Sequence, residues 1–146
     1  MTSRFVVLRR DAERVALGGS RRFAIFFIAA LLIAAIAACQ APAAPLPAEV
    51  SVAEAAKKRD AGAFVLDVRT VEEWNEYHVP GSKLIPLNEL GNRLAEVPKD
   101  REVVVVCRSG NRSATGRDLL LKAGYPQVTS LAGGLQTWRN AGRPVE

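Results

Sequence analysis

Four consecutive valines, Val103–Val106, run directly into Cys107-Arg108-Ser109-Gly110, and this junction limits the available folds more than any other part of the chain. Unbroken β-branched side chains offer an apolar group to each face of a sheet. They predict a strand covered on both sides, as parallel strands are in layered α/β proteins. The strand stops at the cysteine. Gly110 can take a positive φ and turn the chain, and residues 112–123 read as a helix ended by Gly124. The thiol is therefore expected at the carboxyl end of a sheet and over a helix amino terminus, where unpaired amides and the positive end of the helix dipole meet. Such surroundings lower a thiol pKa and favour the nucleophilic thiolate. Arg108 and Arg112 add positive charge, and the N–H groups from Ser109 to Ser113 can converge as an anion nest.

The flanking sequence supplies the rest of such a domain. Ser51 with Glu54, and Thr70 with Glu73, fit the capping box and predict helices ending near Gly62 and Tyr77. Phe64-Val65-Leu66, Lys83-Leu84-Ile85 and Val128–Leu131 read as further strands, the second stopped by Pro86. Asn88 is expected to cap a helix reaching Val97, and residues 135–141 form a last helix ended by Gly142. Strands alternating with helices at this spacing predict an α/β fold: a central, mainly parallel sheet flanked by helices.

Residues 1–38 have a different character. Six arginines, offset by Asp11 and Glu13, precede an uncharged apolar run over 23–38, the layout of an export signal. Sixteen helical residues span about 24 Å, short of a hydrocarbon core of about 30 Å. The run closes in Ile36-Ala37-Ala38-Cys39, which resembles a lipoprotein signal in which Cys39 is acylated. An uncleaved anchor and ordinary cleavage near Ala37 are the alternatives. The first two readings tether an exported domain to the membrane on its extracytoplasmic side. Residues 39–48, rich in Pro and Ala, read as a linker, and 49–146 as the domain.

The formal charge of +5 belongs largely to that leader. Residues 39–146 hold 14 Lys+Arg and 13 Asp+Glu, a balance that argues against nucleic-acid binding. Two cysteines and one histidine make no plausible zinc site. With Cys39 lipidated, Cys107 has no disulfide partner, and a thiol kept in an oxidising compartment points to use.

The stretch 107–113 (CRSGNRS) resembles the active-site loop of rhodanese-like sulfurtransferases. Asp67-Val68-Arg69 resembles that family's strand-end D-x-R, and Glu73-Trp74 with His78-Val79-Pro80-Gly81 its following stretch. Gly133-Gly134, Trp138, Gly142 and Pro144 resemble its closing signature. Tyr77 and Ser82 depart from the pattern, where the family usually has Gly and Ala. The resemblance implies a three-layer rhodanese-like fold in a monomer that needs no metal or organic cofactor. It also implies a double displacement: Cys107 takes the outer sulfur of a donor such as thiosulfate, and the persulfide passes it to a thiol or cyanide. Arg108, Ser109, Gly110, Asn111, Arg112 and Ser113 would bind the donor anion, with Asp67 and Arg69 fixing the loop from behind.

Plainer readings stand beside these. Cys107 by itself could be an inert core thiol, and Arg112 a surface ion pair. His78 reads as structural, and Trp74 and Trp138 as core anchors. Two other functions compete: a non-catalytic interaction module, and a phosphatase or arsenate reductase. The phosphatase loop it resembles is C-x5-R, and the C-x4-R from Cys107 to Arg112 is one residue shorter.

Overall fold

A computed structural model describes residues 44–146. The expected export signal over residues 1–38, the expected lipidation at Cys39 and residues 39–43 of the linker lie outside the described residues. Among the described residues five strands are present: β1 (Glu49–Val50), β2 (Phe64–Asp67), β3 (Lys83–Leu84), β4 (Val103–Val106) and β5 (Val128–Leu131). Between and after them come α1 (Val52–Asp60), α2 (Val71–Glu76), α3 (Leu87–Leu90), a 3-10 turn at Leu94–Glu96, α4 (Asn111–Lys122) and α5 (Gly134–Asn140). The strands form one sheet in the order β1-β5-β4-β2-β3, every pairing parallel. Parallel neighbours need crossovers, and the helices supply them.

Side-chain alternation along β4 divides the core. Val103, Val105 and Cys107 pack with Leu66, Leu90, Leu120 and Val128 in the cluster that α3 and α4 cover. Val104 and Val106 pack with Ala55, Ala56, Leu131, Leu135 and Trp138 beneath α1 and α5. With a period of two, Cys107 keeps the parity of Val103 and Val105. Its sulfur is thus aimed at the face that carries α4, and the strand register decides which helix meets the thiol. Gly116 seats α4 closely: a Cβ there would lie 3.3 Å from Val105 Cγ1 and 3.4 Å from Val68 Cγ1.

Both capping boxes form. Ser51 and Thr70 accept from the amides of Glu54 and Glu73, whose carboxylates bond back to the cap residues' own N–H groups. Two expectations change. The helix expected from Asn88 to Val97 is two short pieces, α3 and the 3-10 turn, and Pro86 rather than Asn88 precedes the first. Gly91 and Asn92 propagate a helix poorly, and Arg93 leaves helical geometry at φ −118°, ψ 20°. Trp74 is no core anchor: α2 buries no residue, and Trp74 is half-buried, stacked on His78 with centroids 3.7 Å apart. Trp138 is buried and donates from Nε1 to Pro144 O at 3.0 Å. The end of the linker lies along β5, with Thr129 Oγ1 donating to Pro47 O at 2.7 Å.

Candidate active site

The site begins where β4 runs out. Cys107 is 1% exposed, and the next residues climb to the surface at Arg108 and Ser109 before Gly110 turns the chain at φ +106° into α4. No side chain caps α4. The first-turn amides of a helix have no partner within it, and here the cap position turns its donor on the sulfur: Gly110 N–H meets Cys107 Sγ at 3.2 Å. On the other side the thiol donates to Ser113 Oγ at 3.5 Å, and that hydroxyl donates to Gly110 O at 2.7 Å. Ser113 is wholly buried, so this small ring fixes the loop to the first turn of α4. One backbone donor is thus directed at the sulfur, at the amino-terminal end of a 12-residue helix.

A second element holds the loop from outside. At the start of α5, Leu135 N–H donates to Cys107 O at 2.7 Å and Gln136 N–H to Arg108 O at 3.1 Å. The loop's carbonyls are thereby drawn toward α5. Close approach makes this possible: a Cβ on Gly134 would stand 2.5 Å from Cys107 O and 2.6 Å from Arg108 C and O.

Behind the loop the polar residues form a chain. Asp67 and Arg69 are buried and paired, with Arg69 Nη2 2.7 Å from Asp67 Oδ2 and Nε 2.9 Å from the same oxygen. The same guanidinium donates to Glu73 O at 2.9 Å and Tyr77 O at 2.6 Å, which anchors both ends of α2. Tyr77 itself is extended at φ −176°, a conformation open to any residue, so its side chain brings no backbone strain. Glu73 then holds Arg112 through two bonds, 2.6 Å to Nη1 and 2.7 Å to Nη2. Those bonds, against the opposing effect of burial, hold the Glu73 carboxyl down to about 2. They also raise Arg112, with smaller contributions from Cys107 and Asp67. The resemblance implies that Arg112 binds the donor anion and the plainer reading makes it an ion pair; its guanidinium fork is occupied by Glu73, and it joins α4 to α2.

The predicted residues thus divide by position. Cys107, Gly110 and Ser113 meet at the sulfur. Ser109 and Asn111 are exposed on the loop and first turn, and Arg108 is exposed with no carboxylate beside it among the described residues. Asp67 and Arg69 act from behind, through α2. His78 is away from the loop, with Nδ1 3.2 Å from Trp74 O and Nε2 3.5 Å from Glu146 Oε1. In the sequence Glu73 reads as a helix cap and as part of the stretch that resembles the family, with nothing to pair it with Arg112; for Gly134, the contact that lets α5 reach the loop, the doubled glycine is the available signal. Among the described residues no group of three or more His, Cys, Asp or Glu could hold a metal.

Parallel sheet, uncapped helix and cysteine at their junction define an α/β domain that carries a buried thiol at the base of a short loop. The chain belongs to the rhodanese-like domain family, whose model matches residues 51–141. It is 37% identical over 82 residues to a sulfurtransferase of Allochromatium vinosum, covering 56% of this chain and 77% of that one. Identity is 32% over 81 residues to the thiosulfate sulfurtransferase GlpE of Pseudomonas savastanoi, covering 56% and 76%. A rhodanese-related protein of Thermoplasma volcanium superposes with a TM-score of 0.64 at 30% identity, covering 68% of this chain and 98% of that one. Family and relatives make this a domain of the sulfurtransferase type.

Proposed function

We propose that the domain moves a sulfane sulfur from a donor such as thiosulfate to a thiol, or to cyanide in an assay, through a persulfide on Cys107. The thiolate attacks the donor's outer sulfur and the bond to sulfite breaks, so sulfite departs with the electron pair. A nucleophilic acceptor then attacks the outer sulfur of the persulfide, and Cys107 leaves as thiolate. Dividing the transfer in this way replaces one difficult displacement by two easier ones. One observation carries the reading: the Gly110 amide lies 3.2 Å from Sγ at the uncapped end of α4. A donor placed there stabilises the thiolate at the start and end of the cycle, as an oxyanion hole stabilises developing charge. The likeness to a sulfurtransferase of Allochromatium vinosum and to the thiosulfate sulfurtransferase GlpE of Pseudomonas savastanoi supports the same chemistry.

Incubation with thiosulfate under mild, non-reducing conditions should add about 32 Da to Cys107. Intact-mass measurement should find the adduct in the wild type and not in Cys107→Ser. An unmodified wild type would exclude the reading and favour an interaction module. The domain is proposed to work tethered on the extracytoplasmic side, on the strength of residues 23–38 and Cys39. Fractionation tests this: Cys39→Ser should release the protein from membranes if lipid is the tether, and a wild type found only in the cytosol would contradict any tether.

A further inference from the structure

In this parallel sheet the strands begin at the end opposite the cysteine loop. There Val103 N–H donates to Gln127 O and Phe64 N–H to Glu102 O, both at 2.8 Å, so the residues before β2, β4 and β5 lie level. The chain enters the domain at this same end, where Gln127 Nε2 donates to Ala44 O at 3.0 Å. With strands about 4.8 Å apart, Ala44 lies on the order of 10 Å from Glu102. Cys107 stands about 13 Å further along the sheet, at about 3.3 Å per residue of β4. Positive charge gathers at the entry end. Residues 57–63, 98–102 and 122–127, which close α1, lead into β4 and close α4, hold six basic side chains and three acidic ones. The rest of 44–146 holds eight basic and ten acidic. Lys57, Lys99, Arg101 and Lys122 are exposed, and only Arg101 of these forms an ion pair among the described residues, loosely, with Asp100 at 3.7 Å. Asp60 and Glu102 are matched by Arg59 and Lys58, each at 2.8 Å. Lys57, Lys58 and Lys122 end helices, where cations suit the dipole. Lys99 and Arg101 lie outside any helix and have no such reason. An open cleft of about 460 Å³ runs between Lys57, Lys58 and Arg101 over the Ala61-Gly62-Ala63 turn.

We infer that this basic pole is a docking surface for a bilayer rich in anionic phospholipid, and that the cysteine loop faces away from it. The inference rests on the membrane tether proposed above. Only five chain steps lead from Cys39 to Ala44, and at no more than about 3.6 Å each they reach about 18 Å. A lipid on Cys39 therefore keeps the pole within about 18 Å of the membrane surface, whatever path those residues take. An anchor ending at Ala38 adds a single step. At such range the tether supplies a high effective concentration, and a contact too weak to hold a free domain suffices. Each basic side chain near an anionic surface adds about fivefold to the docked population, within a Debye length of about 8 Å. Lysines act as point charges and take a phosphate from many directions, which suits headgroups that move. The small residues of the 61–63 turn hold nothing bulky against the surface. The same bilayer repels the acidic excess of the remaining domain, so the asymmetry of charge selects one orientation.

The test uses the full chain, isolated from membranes and reconstituted into vesicles of phosphatidylcholine alone or of an equal mixture with phosphatidylglycerol. Flotation with the neutral vesicles checks the tether. Amine acetylation read by mass spectrometry then maps the lysines that the surface covers. On the mixed vesicles Lys57, Lys99 and Lys122 should label about fivefold more slowly than on the neutral ones, and high salt should remove the difference. Lys83, on the edge strand β3, should change least. The combined variant Lys57→Gln, Arg101→Gln, Lys122→Gln cancels the net charge of the pole at exposed sites, so it should fold, float as the wild type does and lose the protection of Lys99. Equal labelling on the two kinds of vesicle overturns the docking surface and leaves the tether standing. Protection of Lys83 in place of the other three overturns the orientation, and protection that survives in the variant overturns the part played by charge. A wild type that does not float with neutral vesicles overturns the tether and this inference with it.

Discussion

Replacing Gly134 by alanine tests whether the start of α5 sets the position of the cysteine loop. Gly134 has φ +63°, which costs an L-residue about 1–2 kcal/mol. The larger effect is contact. The new Cβ would stand 2.5 Å from Cys107 O, whereas ordinary contact begins at 3.4 Å, so loop and helix must separate by about 0.9 Å. The bonds from Leu135 N–H to Cys107 O and from Gln136 N–H to Arg108 O, 2.7 and 3.1 Å, span that gap and would be weakened, each worth about 1 kcal/mol. A total of about 3–4 kcal/mol should lower the melting temperature by roughly 15 °C or more in a domain of about 100 residues. A catalytic group misplaced by about 1 Å can cost about a hundredfold in rate, so sulfite release from thiosulfate with cyanide as acceptor should slow by that order. Gly142→Ala is the control. Its φ is +66° with nothing within 4 Å of the added carbon, so it should lose about 1–2 kcal/mol and keep its rate. If Gly134→Ala matches Gly142→Ala in both measurements, the loop is not positioned by α5 and the argument is wrong.

Two further perturbations address the polar chain behind the loop. Glu73 is ionised down to about 2 in the folded protein against 4.5 ordinarily, so its contribution is present above about 4.5 and lost as pH falls toward 2. Glu73→Gln should therefore lose about 1–2 kcal/mol at pH 7 for a partly exposed paired charge, with the difference from wild type closing on acidification; urea titrations across this range should show it. Asp67→Asn leaves Arg69 buried without its counter-charge, and should cost about 3–5 kcal/mol in the same titrations, more than any single change at exposed Arg108 or Arg139.

What was legible in advance was what neighbours in sequence determine. Val103–Val106 could only be a strand covered on both faces, and Cys107 had to end it. Ser51 with Glu54, and Thr70 with Glu73, set two helix starts through bonds that span three residues. Gly124 and Gly142 follow their helices at positive φ, as their places suggested. The resemblance carried by 107–113 and its companion motifs pointed to the family. Other features carried no local signal. β1 is a two-residue strand, too short for any periodicity, and exists because Glu49 and Val50 find Ser130 and Leu131 in parallel register. Arg112 could be read as an anion ligand or as an ion pair, and the choice rests on Glu73, 39 residues away, which occupies its fork. The basic pole opposite the loop brings together the end of α1, the residues before β4 and the end of α4. Strands, caps and turns follow from backbone bonds closed within a few residues, so the chain encodes them locally. Charge pairing and close backbone approach depend on which elements the sheet order sets side by side, and only the packed molecule decides that.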